Sequence, residues 1–201
     1  MESSSGRVVL LSVLGIVAGP LTLAALGLTH PSDLTSRTAP YWRDLHIILL
    51  PLFPLLGVNL WWLLGDARDP ASWLARLAAF VFIAFYSGLD VLAGVAAGAV
   101  VAAGVSDVAG ATSPLFAQAS RLGAIGAGSL VIGTVITGIV LVVRTGRVAV
   151  PGAVLLVAGA VLFGRNHIYF PVGVSAMLVM AAGFGWLQWG RLNRAQVAAS
   201  P

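Results

Sequence analysis

Six long apolar runs, joined by short polar connections, fill most of this chain and leave it few ways to fold. Of its 201 residues, 59% are hydrophobic and 9% charged, where a soluble domain carries about 25% charged residues. Runs of roughly 20 apolar residues match the hydrocarbon thickness of a bilayer. The chain therefore reads as an all-α integral membrane protein, a bundle of about six transmembrane helices, some kinked by proline, in one polytopic domain. The expected spans are 7–28, 41–64, 71–104, 121–143, 148–163 and 168–189.

The boundaries follow from turn residues and charges. Arg7 precedes the first run, and Ala25-Leu26-Gly27 offers small residues in the pattern of a signal-peptide cleavage site. The run is about 21 residues, however, against about 7–15 for a signal-peptide core, so we read an uncleaved first span. Span 3 carries no proline and no charged loop. Its roughly 34 residues would make a helix of about 51 Å, so it must tilt, project, or break near Gly88 or Gly94. The segment "VSDVAGATSPLFAQAS" reads as a polar loop holding a short surface helix, and Gly164-Arg165-Asn166-His167 as a four-residue corner.

All eleven cationic residues are arginines, and they stand singly or in pairs at the ends of apolar runs. That scatter suits lipid headgroups, whereas nucleic-acid binders gather basic residues on one face. With both termini cytoplasmic, Arg7, Arg68, Arg76, Arg144, Arg147, Arg191 and Arg194 lie inside, and Arg37, Arg43, Arg121 and Arg165 outside. The positive-inside rule favours this orientation, in the plasma membrane. The absence of cysteine excludes disulfides, thiolate metal sites and cysteine nucleophiles.

In this topology all three histidines, His30, His46 and His167, gather toward the outer side. Asp90 is the most informative single residue, because its nearest charged neighbours along the chain are Arg76 and Asp107. A carboxyl within a span costs roughly 2.5–3.5 kcal/mol on insertion scales and is usually paired or functional. Helical rise places Asp90 about 21 Å from Arg76, in the outer half of the bilayer. Tyr86 is four residues earlier, on the same face, where its hydroxyl can bond the carboxyl. In span 2, Pro51 and Pro54 withdraw their donors from the carbonyls of Ile47 and Leu50, one to two turns from His46. Packing alone accounts for many membrane prolines, and a histidine at an interface is often no ligand. It is the convergence of these features that points to a site.

The candidate ligand-binding residues are Asp90, His46, His167, Tyr86, Arg165 and Asn166. The leading expectation is a small solute, ion or proton bound, or passed, through an outer-facing polar pocket. A rival is a metal- or haem-dependent membrane enzyme or redox protein using His46, His167 and Asp90, with His30 as a further donor; the cofactor is left open. A third is a structural subunit or homo-oligomer whose Gly94 and Gly98 permit close helix association. No HExxH, GxSxG or phosphate-cradling glycine loop is present.

Overall fold

The structure, a computed structural model, describes residues 2–199. Helices α1 (Glu2–Gly27), α2 (Ala39–Leu64) and α3 (Pro70–Leu89) come first. A π-helical segment, Asp90–Ala96, joins α3 to α4 (Ala97–Ala102). Then follow α5 (Val108–Thr145), a 3₁₀ turn at Arg147–Ala149, α6 (Val150–Asn166) and α7 (Val172–Ala199). Six stretches are long and apolar enough to cross a membrane, with α3, the π segment and α4 forming the third. No strand occurs among the described residues. The chain is a polytopic membrane protein.

The spans close into a ring, each packed on its neighbours in the order α1, α2, α3, α5, α6, α7 and back to α1. Inside it, Phe53, Phe82, Phe163, Phe184, Leu60 and Leu130 are fully buried. Outward-facing Val8, Leu11, Leu77, Ile139 and Val154 are exposed, as expected where lipid replaces water as the solvent. Five of the six tryptophans, Trp61, Trp62, Trp73, Trp186 and Trp189, are exposed near one end of the bundle, in an aromatic belt of the kind found at membrane interfaces.

Helix ends follow local chemistry. Asp69 caps α3 by accepting from the Ser72 amide at 2.9 Å, with Pro70 in the first turn. Asp107 caps α5 in the same way, accepting from the Gly110 amide. This cap corrects the expectation for the third connection: the helix starts at Val108 and runs unbroken to Thr145, with no separate loop before residue 121. Pro114 is exposed and does not end it. The corner is also displaced. The α6 helix continues through Asn166, whose side-chain amide donates to the Leu162 carbonyl, and the chain turns over residues 167–171 before α7 begins at Val172. Pro51 and Pro54 both sit within a continuous α2. Span 3 does break its regular pitch, at Asp90 itself.

Candidate metal centre

Three elements bring the three histidines together at the end of the bundle opposite the tryptophan belt. His30 lies in the α1–α2 loop, His46 on α2 and His167 at the end of α6, and one ring nitrogen from each lies within 4.8 Å of the others. Asp90, at the start of the π segment, is fully buried, with Oδ1 4.0 Å from His46 Nε2. Such π turns recur at functional sites, because the wider pitch re-aims side chains.

Close backbone approach draws these elements in. Gly94 faces the His46 ring, and a Cβ there would overlap it. Gly98 faces Arg43, where a Cβ would stand 3.0 Å from the backbone nitrogen. The helix association expected of these two glycines thus occurs inside the chain, against α2. Gly27, at the end of α1, packs on the Ile168 backbone, which holds the α6–α7 corner beside the loop carrying His30. Trp42 ties α2 to the π segment by donating from Nε1 to the Ala93 carbonyl at 3.0 Å, and stacks on His46 with ring centroids 5.0 Å apart.

The hydrogen bonds fix which nitrogen each histidine presents. His46 Nδ1–H donates to the Trp42 carbonyl at 2.7 Å, and His30 Nδ1–H donates to the Pro31 carbonyl at 2.8 Å. A carbonyl only accepts, so both rings carry their proton on Nδ1 and leave the Nε2 lone pair free. His167 Nδ1 is 2.7 Å from the Tyr86 hydroxyl, which can take either role. Nε2 of His30, Nε2 of His167 and both Asp90 carboxyl oxygens are buried without any hydrogen-bond partner among the described residues. Buried polar atoms are nearly always satisfied. Two of these orphans belong to the histidine cluster and two to the carboxyl beside His46, which marks the cluster as a place for a group able to bind them.

His167 carries a further sign. As the residue closing α6 it has φ 50°, the left-handed region that disfavours a side chain with a Cβ. Backbone in such regions collects at functional sites because the surrounding structure must hold it there. Burial, with the His30 and His46 rings beside it, holds the His167 imidazole well below the ordinary histidine range, and burial lowers His30 as well. Both favour neutral imidazole, the form that offers a lone pair. Tyr169, edge-on to His30 with ring centroids 4.5 Å apart, is pushed up to about 12 by burial and then by Asp33.

Two cavities reach the cluster, one of about 160 Å³ bordered by His46 and His167, and one of about 320 Å³ bordered by Tyr86, Ser120, Arg165, Asn166 and His167. A larger groove of about 530 Å³ between α5 and α6 has only aliphatic and glycine walls and offers no chemistry.

The geometry gathers His46, His167, Asp90 and Tyr86 from the sequence candidates. Tyr86, expected to bond Asp90, instead meets His167. Arg165 is exposed and stands at a cavity wall, and Asn166 turns its amide back onto its own helix, so neither joins the cluster. His30 is a full member, though sequence reading gave it only a secondary place, and Trp42 and Tyr169 were not foreseen. The signal for His30 was its position on the same side as the other two histidines. No protein-family model matches the chain, and neither curated proteins nor solved structures offer a significant match.

Proposed function

We propose that this membrane protein binds one divalent transition-metal ion through Nε2 of His30, His46 and His167, with Asp90 as the carboxylate beside them, at its outer face. The observation carrying this reading is the set of three convergent ring nitrogens, two of them fixed as lone-pair donors by carbonyls behind them. Metal-binding histidines characteristically donate their other N–H to such a partner, which sets ring orientation and tautomer. A set of three imidazole nitrogens suits zinc or ferrous iron. Tetrahedral coordination at about 2.05 Å needs nitrogens about 3.3 Å apart, which the rings reach by moving inward about 1 Å or less.

A small ion fits better than haem. The His30 ring lies 5.1 Å from His46 and 5.6 Å from His167, so the three rings enclose one small volume and leave no flat slot for a macrocycle. Binding also has more support than passage: Phe53, Phe82 and Phe163, all fully buried, pack together, and Phe53 packs on His167. Three protein nitrogens leave a coordination position free, as in catalytic rather than structural sites. An ion held there would supply Lewis acidity and a bound water of lowered pKa. Asp90 is placed to take a proton from a group bound beside the histidines, and the larger cavity leads a small molecule to His167.

The test is elemental analysis of the detergent-purified chain after exposure to zinc, ferrous or manganous ion and removal of excess. We expect close to one ion per chain. His30→Ala, His46→Ala and His167→Ala should each lose it while keeping the helical circular dichroism of the parent. A metal-free parent chain under all three conditions would overturn the reading and return attention to a protonatable Asp90.

A further inference from the structure

At the far end of the bundle from the histidines, a second polar cavity, of about 280 Å³, lies between the ends of α2, α5 and α7. Asp66, Arg144, Thr145 and Arg191 face it among aliphatic side chains. Four arginines cluster here, and three have acceptors. Arg76 donates to the carbonyls of Ala67 and Gly65, both at 2.6 Å. Arg144 donates to Asp69 at 2.8 Å, and Arg194 donates to the Thr145 carbonyl. Arg191 stands apart. Its Nε is sealed from solvent without a hydrogen-bond partner, and it joins no ion pair among the described residues, Asp66 acting on it only across space. One end of its guanidinium lies over Gly65, where a Cβ would stand 2.7 Å from Nη1.

A guanidinium taken partly out of water without an acceptor is costly, more so than a neutral donor. Counting Arg76, Arg144, Arg191 and Arg194 against Asp66 and Asp69, four positive charges meet two negative, a surplus of two. The tryptophan belt sets this cavity at headgroup depth. The arginine fork matches phosphate oxygens in geometry and charge.

We infer that this cavity is a phosphate-binding site, with Arg191 as its principal ligand and Arg144 at its edge. The occupant is a phosphate-bearing anion, either the headgroup of an anionic phospholipid or a free phosphate. This inference does not depend on the metal reading.

Native mass spectrometry of the full chain, titrated with dioleoyl phosphatidylglycerol or with dioleoyl phosphatidylcholine, tests it. Inorganic phosphate is added in a third arm, read by thermal shift. We expect one phosphatidylglycerol held about tenfold or more tightly than phosphatidylcholine, the size of one charge-assisted contact. Arg191→Gln should remove that preference and Arg191→Lys should keep part of it. Asp66→Asn, which removes the competing acid, should tighten binding, and it keeps the test open should Arg191→Gln fail to fold. Stabilisation by inorganic phosphate that Arg191→Gln abolishes, without lipid selectivity, would keep the site and make its occupant a soluble phosphate. Equal retention of both lipids together with no response to phosphate would overturn the proposal. So would a parent and an Arg191→Gln chain that behave alike.

Discussion

Tyr86 and His167 are 81 positions apart, yet their 2.7 Å contact is, among the described residues, the one side-chain hydrogen bond that locks a histidine of the cluster from a different helix. Tyr86→Phe removes the oxygen that His167 Nδ1–H donates to when Nε2 is a ligand. Losses of such outer partners typically weaken metal affinity about 10- to 100-fold, and competition against a chromophoric chelator should show a drop in that range without loss of fold. Proton competition gives a second prediction. His30 and His167 are lowered from the ordinary value, so each binds a proton only at more acidic pH than a free imidazole. Bound metal should therefore be retained from pH 7.5 to 6.0, where an exposed histidine of pKa about 6.5 is already mostly protonated, and be released on further acidification. Metal content after equilibration across that range checks it; release already complete at pH 6.0 would show that the histidines are not shielded.

The π segment is the element that makes the site. Asp90 sits at its start, Ala93 offers a carbonyl to Trp42, and Gly94 admits the His46 ring, so three contacts depend on one seven-residue segment. Adding one methyl at Gly94 forces the His46 ring or α2 to shift, and overpacking of this kind costs about 1–3 kcal/mol. Gly94→Ala should thus lower thermal stability in detergent and weaken metal binding together. Gly98→Ala, against the Arg43 backbone, should lower stability with less effect on metal. Gly128→Ala, where a Cβ meets nothing within 4 Å, is the matched control and should leave both unchanged. Equal behaviour of Gly94→Ala and Gly128→Ala would mean that the approach of α2 to the π segment is dispensable. That segment was only half legible beforehand. The length of span 3 and its isolated acid signalled an irregularity, but a run of Ala, Gly, Val and Leu carries no local mark of π pitch.

For the whole molecule, the two polar sites lie at opposite ends of a ring of six helices, separated by an apolar core. Their chemistry differs: imidazoles and a lone carboxyl at one end, arginines with two aspartates at the other. By the positive-inside rule, the expected orientation has the arginine end in the cytoplasm and the histidines outside. The chain contains no cysteine, which makes this simple to examine. Asp33→Cys, in the loop beside His30, should react with a membrane-impermeant maleimide on intact cells, and Arg68→Cys only after permeabilisation. The reverse pattern would place the metal site in the cytoplasm and invert the proposed orientation.

Composition and the lengths of the apolar runs were enough to determine a six-span helical bundle, because in hydrocarbon the backbone must satisfy itself within each segment. The solitary charge at Asp90 and the shared side of the histidines were also legible, since a buried acid and a topology count need no tertiary knowledge. What only the tertiary structure decided was the closing of the ring. Ring closure sets the α6–α7 corner against the α1–α2 loop, and so turns His30 from a loop residue into a ligand candidate and gives Tyr86 to His167 in place of Asp90. Those contacts depend on backbones meeting at Gly27 and Gly94 across distant parts of the chain, and helical spacing reports only on neighbours within one helix.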